Sequence, residues 1–477
     1  MGIAGKIAKA FLQSKLTPLV TIASLAVGLI GMLATPREEE PQISVPMIDV
    51  MMALPGAGAA EVENLVTRPL ERRMWEIGGV DNVYSMTGEG YALVTVRFAV
   101  GEDQERSITK VQAKLMAGMD QAPTGAMPPL VKAHSIDDVP TMTLTLSSAQ
   151  YTSNELRKLA VHLEDEIRTV ENVASTFVTG GSPARIEVTL DPARLAARGI
   201  APGMVAQALR GANQRLQAGE FAAADSVLLV EVGAVLASAS DVSNVVVHSM
   251  NGRPVFVRDV ATVEEGYGDP TSYVSHTTGV GQSAAAVTIS VAKRPGANAT
   301  VVTHAVAERV EQAKARLLPE EVALTVTRDY GETAAEKADE LILHLLIATL
   351  SVTILVGLFL GWREALVVLV AVPVTLALTL FVYYALGYTL NRITLFALIF
   401  SIGILVDDAI VVVENMYRHM SRGDTTPEVA AVEGVDEVGN PTILATLTVI
   451  AAILPMAFVS GMMGPYMRPI PVGASVA

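Results

Sequence analysis

Two carboxylates stand side by side inside an apolar run, Ile402-Gly403-Ile404-Leu405-Val406-Asp407-Asp408-Ala409-Ile410-Val411-Val412-Val413. In hydrocarbon, one ionised aspartate at a helix centre costs about 2.5–3.5 kcal/mol on insertion scales. Two neighbours cost more, because each opposes ionisation of the other. The chemistry that fits such a pair is proton carriage, in which a carboxyl loads a proton from one side and releases it to the other. Successive helical residues lie about 100° apart, so Asp407 and Asp408 cannot play identical parts. A helix kink or a polar contact between helices is the structural alternative. Glu414 and Asn415 follow one or two turns later and read as interfacial anchors. His344 lies four residues after Glu340, a spacing more often structural than catalytic. His134, His162, His248, His276, His304 and His419 are scattered without ligand spacing. The 19 methionines form no soft-metal cluster. There is no GxxxxGK[ST] loop and no G-x-S-x-G, so neither direct ATP use nor a serine nucleophile is implied.

The elements that must hold the carboxylates are apolar and long. Five segments, Thr17–Ala34, Leu341–Trp362, Ala365–Leu386, Ile393–Val413 and Pro441–Ser460, run 18 to 22 residues each, and only the fourth carries a formal charge. At 1.5 Å per residue each reaches roughly 27–33 Å, about the thickness of bilayer hydrocarbon. The composition agrees: 51% of the 477 residues are hydrophobic and 17% charged, against about 25% charged in an ordinary soluble domain. Thr17–Ala34 is too long for a signal peptide and lacks a small-x-small cleavage site before Thr35-Pro36-Arg37-Glu38-Glu39-Glu40. Pro373 predicts a kink in the third span. The net charge of −15 argues against nucleic acid as a partner, and the absence of cysteine excludes disulfides and thiolate metal sites.

Lys6, Lys9 and Lys15 precede the first span, Arg363 lies between the second and third, and Arg418 and Arg422 lie between the fourth and fifth. The opposite side has only Arg392 in a short loop. This bias predicts a cytoplasmic N-terminus and a long extracytoplasmic segment between the first two spans.

That segment has a repeated pattern. Alternation starts at Gln42 (Ile43, Val45, Met47), followed by a helical pattern kinked at Pro69, strands around Asp81–Met86 and Tyr91–Val100, a helix marked by Ile108, Val111 and Leu115, and a strand near Leu130–Ala133. The order β-α-β-β-α-β is that of a ferredoxin-like unit. Met142, Leu144 and Leu146 begin the same order again, with a capping box at Thr152-x-x-Glu155. It resumes after an insert at Val287, Ile289 and Val291 and ends with Val322, Leu324 and Val326. The insert carries alternating Ile186, Val188 and Leu190 and a hairpin signal at Asn251-Gly252. The expected fold class is therefore an α+β membrane protein. Its divisions are a first transmembrane helix (1–35), a first unit (36–135), a second unit (136–182 with 276–330), an inserted domain (183–275) and transmembrane helices two to five with the start of a sixth (336–477).

The run Gly403-Ile404-Leu405-Val406-Asp407-Asp408-Ala409-Ile410-Val411-Val412-Val413-Glu414-Asn415 resembles the fourth-helix signature of resistance–nodulation–division (RND) efflux pumps. Pro55-Gly56-Ala57, Val370-Ala371-Val372-Pro373-Val374 and Arg258-Asp259-Val260-Ala261 agree with it. The double aspartate is closest to the hydrophobe and amphiphile (AcrB-like) branch, since metal-exporting relatives tend to carry one. The resemblance implies a proton-driven antiporter, not an enzyme, in the inner membrane of a Gram-negative cell, with no cofactor. It implies a homotrimer that works with a periplasmic adaptor (membrane fusion protein) and an outer-membrane channel. The two ferredoxin-like units become porter subdomains, the insert a docking subdomain, and Asp407 and Asp408 the proton-relay pair. Three features depart from the pattern. The family has two similar halves, whereas this sequence matches one and reaches Gly464-Pro465-Tyr466-Met467-Arg468 where a sixth span should begin, so the basic partners of the aspartates, and hence coupling, belong to a C-terminal half. Pocket phenylalanines are missing around Pro140 and Thr179-Gly180, and the stretch between Phe221 and Val245 is short for an arm that interlocks protomers. A heavy-metal or lipid exporter of the same superfamily and a non-transporting, membrane-anchored binding or scaffold half are the competing readings.

Overall fold

A computed structural model describes residues 1–477 apart from 13, 224–225, 251, 280, 282 and 424. Ile48, Val50 and Met52 are buried on one face of strand β1 (Met47–Ala53). After a helical stretch (Ala59–Trp75) come β2 (Val80–Gly88) and β3 (Tyr91–Phe98), then a helix (Gln104–Met116) and β4 (Leu130–His134). The sheet order is β2-β3-β1-β4, and every neighbouring pair is antiparallel. Val62, Val66, Leu70 and Met74 of the first helical stretch and Val111 and Leu115 of the second helix cover its buried face. Around Pro69 the helix does not simply bend. Glu63–Thr67 winds into a wider π turn, and Pro69 sits at the start of the regular stretch that follows, where its missing N–H is harmless. The alternation read from Gln42 is not a strand until Met47. Pro46 has no N–H to give a ladder, so residues 41–46 form an extended approach whose Pro46 carbonyl accepts from the Phe98 N–H at 2.9 Å.

The second sheet begins with β5 (Met142–Ser148), a helix (Ser153–Ile167) and β6 (Val173–Thr179). The insert leaves on β7 (Ala184–Leu190). Helices Pro192–Ala197 and Pro202–Ala212 follow, then hairpins β8 (Leu216–Ala223) with β9 (Ser226–Val232) and β10 (Val246–Met250) with β11 (Arg253–Phe256). It returns on β12 (Ala261–Tyr267), which pairs with β7 along its whole length. Gly252 takes φ +74°, as a tight hairpin turn requires, and Asn251 lies outside the described residues. The β8–β9 hairpin starts before Phe221 and is exposed throughout β9. After β13 (Ser275–Thr277) and β14 (Ser283–Lys293), a helix (Ala299–Leu317) and β15 (Ala323–Asp329) complete the sheet. The short β13 pairs with part of β14, and the other four strands, in the order β6-β14-β5-β15, repeat the order of the first sheet. Leu144, Leu146, Leu156, Leu163, Ile289 and Val306 meet in its core.

Among the described residues five helices are long and apolar enough to cross a membrane: Thr17–Ala34, Tyr330–Phe359, Trp362–Ala385, Arg392–Arg422 and the continuous helical stretch Pro427–Phe458. They are termed spans one to five. Four boundaries differ from the hydropathy reading. Span two begins at Tyr330 rather than Leu341, its first turns carrying Glu332, Glu336, Lys337, Asp339 and Glu340. Trp362 belongs to span three, because Gly361 at φ +131° breaks the chain before it. Span four runs on to Arg422, and span five starts at Pro427 rather than Pro441, its first turns being helical but charged (Glu428, Glu433, Asp436, Glu437). Large apolar side chains such as Leu358, Phe359 and Leu444 remain exposed, as lipid-facing residues must. Small residues bring spans together: a Cβ added at Gly28 of span one would lie 2.2 Å from Cβ of Ala377 in span three. Gly28→Leu is expected to part these spans and lower the melting temperature in detergent, whereas leucine at the open position Gly403 should not.

The Thr152 cap yields a pH-dependent prediction. Its hydroxyl accepts from the Glu155 N–H, while the Glu155 carboxylate accepts from the Thr152 N–H. That backbone bond, then the Thr152 hydroxyl, holds the Glu155 carboxyl below its ordinary range. A carboxyl depressed in the folded state stabilises above its unfolded pKa, and this is lost as pH falls through the folded value. Thr152→Ala should therefore speed amide exchange in the first turn of helix Ser153–Ile167 about fivefold at neutral pH, and the difference should shrink well below pH ~4.

Candidate functional site

Span four positions the two aspartates, and buried polar groups fix it on both sides of them. At the N-terminal end Asn391 is the cap. Its side-chain oxygen accepts from the N–H groups of Ile393 and Thr394 at 2.9 and 3.1 Å. Its amide donates to the Thr389 carbonyl at 3.2 Å, and the Thr394 hydroxyl donates to the same carbonyl at 2.9 Å. Thr389, Asn391 and Thr394 are all buried. The carboxylates follow near mid-helix, roughly 25 Å from the cap at 1.5 Å per residue.

Asp408 is half-buried and faces span five, where the Thr446 hydroxyl donates to its Oδ2 at 2.7 Å. The same hydroxyl lies 2.9 Å from the Thr442 carbonyl. A hydroxyl carries one hydrogen and two lone pairs. Facing a carboxylate, Thr446 gives that hydrogen to Asp408, a charge-assisted bond. Facing a protonated Asp408, it can turn to Thr442 and accept the carboxyl proton instead. The seam thus offers Asp408 a partner in both charge states. Asp407 is exposed on the neighbouring helix face and has no hydrogen-bond partner among the described residues. The structure therefore separates the two residues as the 100° step requires.

Asn415, read from sequence as an interfacial anchor with Glu414, behaves otherwise. Glu414 is exposed, but Asn415 is buried and donates to the Gly434 carbonyl of span five at 2.7 Å. It can do so because Gly434 lets the helices touch: a Cβ there would lie 2.9 Å from Cα of Met416. Glu437, one turn on, accepts from Arg418 and from His419, each at 2.6 Å. His419, scattered by sequence position, is thus a tie between spans four and five. Glu340 pairs with Lys337 at 2.8 Å, and no bond links it to His344. Among the described residues no group of three or more His, Cys, Asp or Glu side chains is arranged to hold a metal ion.

A sequence model of the AcrB/AcrD/AcrF family matches residues 7–477. The chain belongs to this family of RND efflux pumps. Among its relatives, the multidrug resistance protein MdtC of Yersinia pestis bv. Antiqua (strain Angola) is 32% identical over 465 residues, 97% of this chain and 45% of that protein. MdtC of Yersinia pseudotuberculosis serotype O:1b (strain IP 31758) is similar to the same extent. The chain therefore spans about half the length of the relatives it matches. The sequence reading singled out Asp407 and Asp408 but not their neighbour Thr446, whose only sequence signal was a hydroxyl within an apolar run.

Asn415→Leu removes the donor from a carbonyl buried where spans four and five touch. It is expected to cost about 1–3 kcal/mol, read as a lower unfolding midpoint in detergent, while Glu414→Gln should leave that midpoint unchanged.

Proposed function

We propose that this chain forms part of a proton-driven, multidrug-type exporter of hydrophobic or amphiphilic compounds, a secondary antiporter of the Gram-negative inner membrane. The observation that carries this reading is the carboxylate pair midway along a 31-residue apolar helix, with one member hydrogen-bonded across the span four–span five seam. Asp408 and Asp407 are the proposed proton carriers. Family membership and the relatives' name, multidrug resistance protein, support the substrate class.

In this reading the N-terminus is cytoplasmic and residues 36–330 are periplasmic. The strand order shared by the two sheets supports ferredoxin-like porter subdomains at 36–135 and at 136–182 with 276–330. The insert at 183–275 serves as the docking subdomain, and the exposed β8–β9 hairpin supports contact between protomers of a homotrimer. A periplasmic adaptor and an outer-membrane channel complete the path, and a C-terminal half supplies the basic partners that couple the aspartates to transport.

Cells expressing the transporter with Asp408→Asn should lose export of a cationic dye by roughly 100-fold or more, the scale of a lost proton-transfer group. Thr446→Val, which keeps shape but removes the hydroxyl, should reduce export about tenfold, the equivalent of one hydrogen bond to a charged group. Dye export unaltered by either Asp407→Asn or Asp408→Asn, at equal protein levels, rejects the relay assignment.

A further inference from the structure

The connection from span one to the first sheet begins with the linker segment Pro36-Arg37-Glu38-Glu39-Glu40. Its backbone is hydrogen-bonded on two sides. The Leu390 N–H donates to the Pro36 carbonyl at 2.9 Å and the Glu38 N–H donates to the Leu390 carbonyl at 3.0 Å, a short parallel bridge. The Ala299 N–H, at the start of the helix Ala299–Leu317, donates to the Arg37 carbonyl at 3.3 Å. Leu390 directly precedes Asn391, the buried cap of span four, so it moves with that helix. Ala299 belongs to the second sheet's covering helix.

Side chains reinforce the same crossing. Lys293, at the end of β14, donates to Glu38 Oε1 at 2.7 Å, with the two side chains only 11% and 6% exposed. Gln42 donates to the same oxygen at 3.0 Å. Arg37 pairs with Asp339 of span two at 3.1 Å, and Glu40 pairs with Arg392 at the start of span four and accepts from Tyr466. Exposed ion pairs contribute little, whereas breaking a buried pair strands a charge. The Lys293–Glu38 pair and the Leu390 bridge therefore carry the mechanical connection, and the outer pairs are secondary. Glu38 is held there under a cost, since its Oε2 is buried with no hydrogen-bond partner among the described residues.

We propose that residues 36–40 form a transmission joint: a shift of span four, set by the charge of Asp408, passes through Leu390 to the linker and from Glu38 to Lys293 and the second extramembrane unit. Glu38 and Lys293 are positioning residues in this scheme, and the scheme rests on the relay reading above. A helix with a fixed cap transmits a displacement along its length, and a two-sided bridge gives that displacement one direct outlet. Physical continuity alone is not coupling, so the test must move one end and read the other.

The chain contains no cysteine, so within it spin labels attach only at introduced pairs. Val370 of span three, Phe396 of span four and Val301 of the helix Ala299–Leu317 are exposed. In lipid bilayer discs containing the full polypeptide, the Val370–Phe396 distance reports span four and the Val370–Val301 distance reports the second unit. Asp408→Asn, which fixes the neutral state, should shift both distances by about 1–2 Å, the size of a helix shift at a packed interface. Adding Lys293→Gln should keep the first shift and abolish the second, and exchanging the charges (Glu38→Lys with Lys293→Glu) should restore it. A second shift that survives both Lys293→Gln and Glu38→Gln overturns the joint. So does a span-four shift with no response at Val301 in the otherwise unaltered chain. If Asp408→Asn moves neither distance, the relay reading itself fails and the joint's role falls with it.

Discussion

An aspartate in hydrocarbon has no water to stabilise its charge, and Asp408 has one hydroxyl in place of that water. The rest of the membrane region is arranged around this substitution. Span four is otherwise apolar along its central turns, so the carboxyl must either stay neutral or find its donor on a neighbouring helix. Thr446 supplies that donor and, by way of Thr442, can also release it. A rigidly satisfied carboxylate would be a structural tie. One whose partner has a second acceptor within reach is free to change its protonation without leaving a buried polar group stranded. Asp407, on the adjacent face, is left without such a partner among the described residues, so two residues of one type sit in different surroundings.

Seams that are tight at their ends and polar in the middle follow from side-chain size. Glycine admits contact at Gly28 and Gly434, and buried amide groups fix span four at its N-terminal cap, Asn391, and again at Asn415 beyond the carboxylates. Such fixed points turn the helix into a rod, so a change at its middle is felt where Leu390 meets the linker. The two sheets stand on the other side of that linker. Their shared strand order gives two similar bodies, each with its own hydrophobic core, that can move as units.

Much of this was legible in the chain. Apolar windows located five spans, and alternating Val287, Ile289 and Val291 were enough to place a buried strand. The misreadings share a cause. Hydropathy sees side chains but not backbone continuity, so span five was begun at Pro441 although its charged first turns are already helical. Periodicity alone extended a strand back through Pro46, where a ladder has no donor. Asn415 looked like an anchor because polarity near a helix end has two explanations, and only the proximity of Gly434 separates them. Thr446 and Asp408 lie 38 positions apart, and Glu38 and Lys293 lie 255 apart. No local pattern links such pairs, because folding rather than spacing brings them together.

The central claim is that Asp408 takes up and gives up a proton inside span four. Infrared difference spectroscopy of the chain in lipid bilayers reads this directly, through the carbonyl stretch of a protonated carboxyl. On acidification a band of this kind should rise in the unmodified chain and should be missing from Asp408→Asn, with its frequency displaced in Thr446→Val as the hydrogen-bond partner is lost. Spectra of Asp408→Asn that match the unmodified chain at every pH would contradict the account.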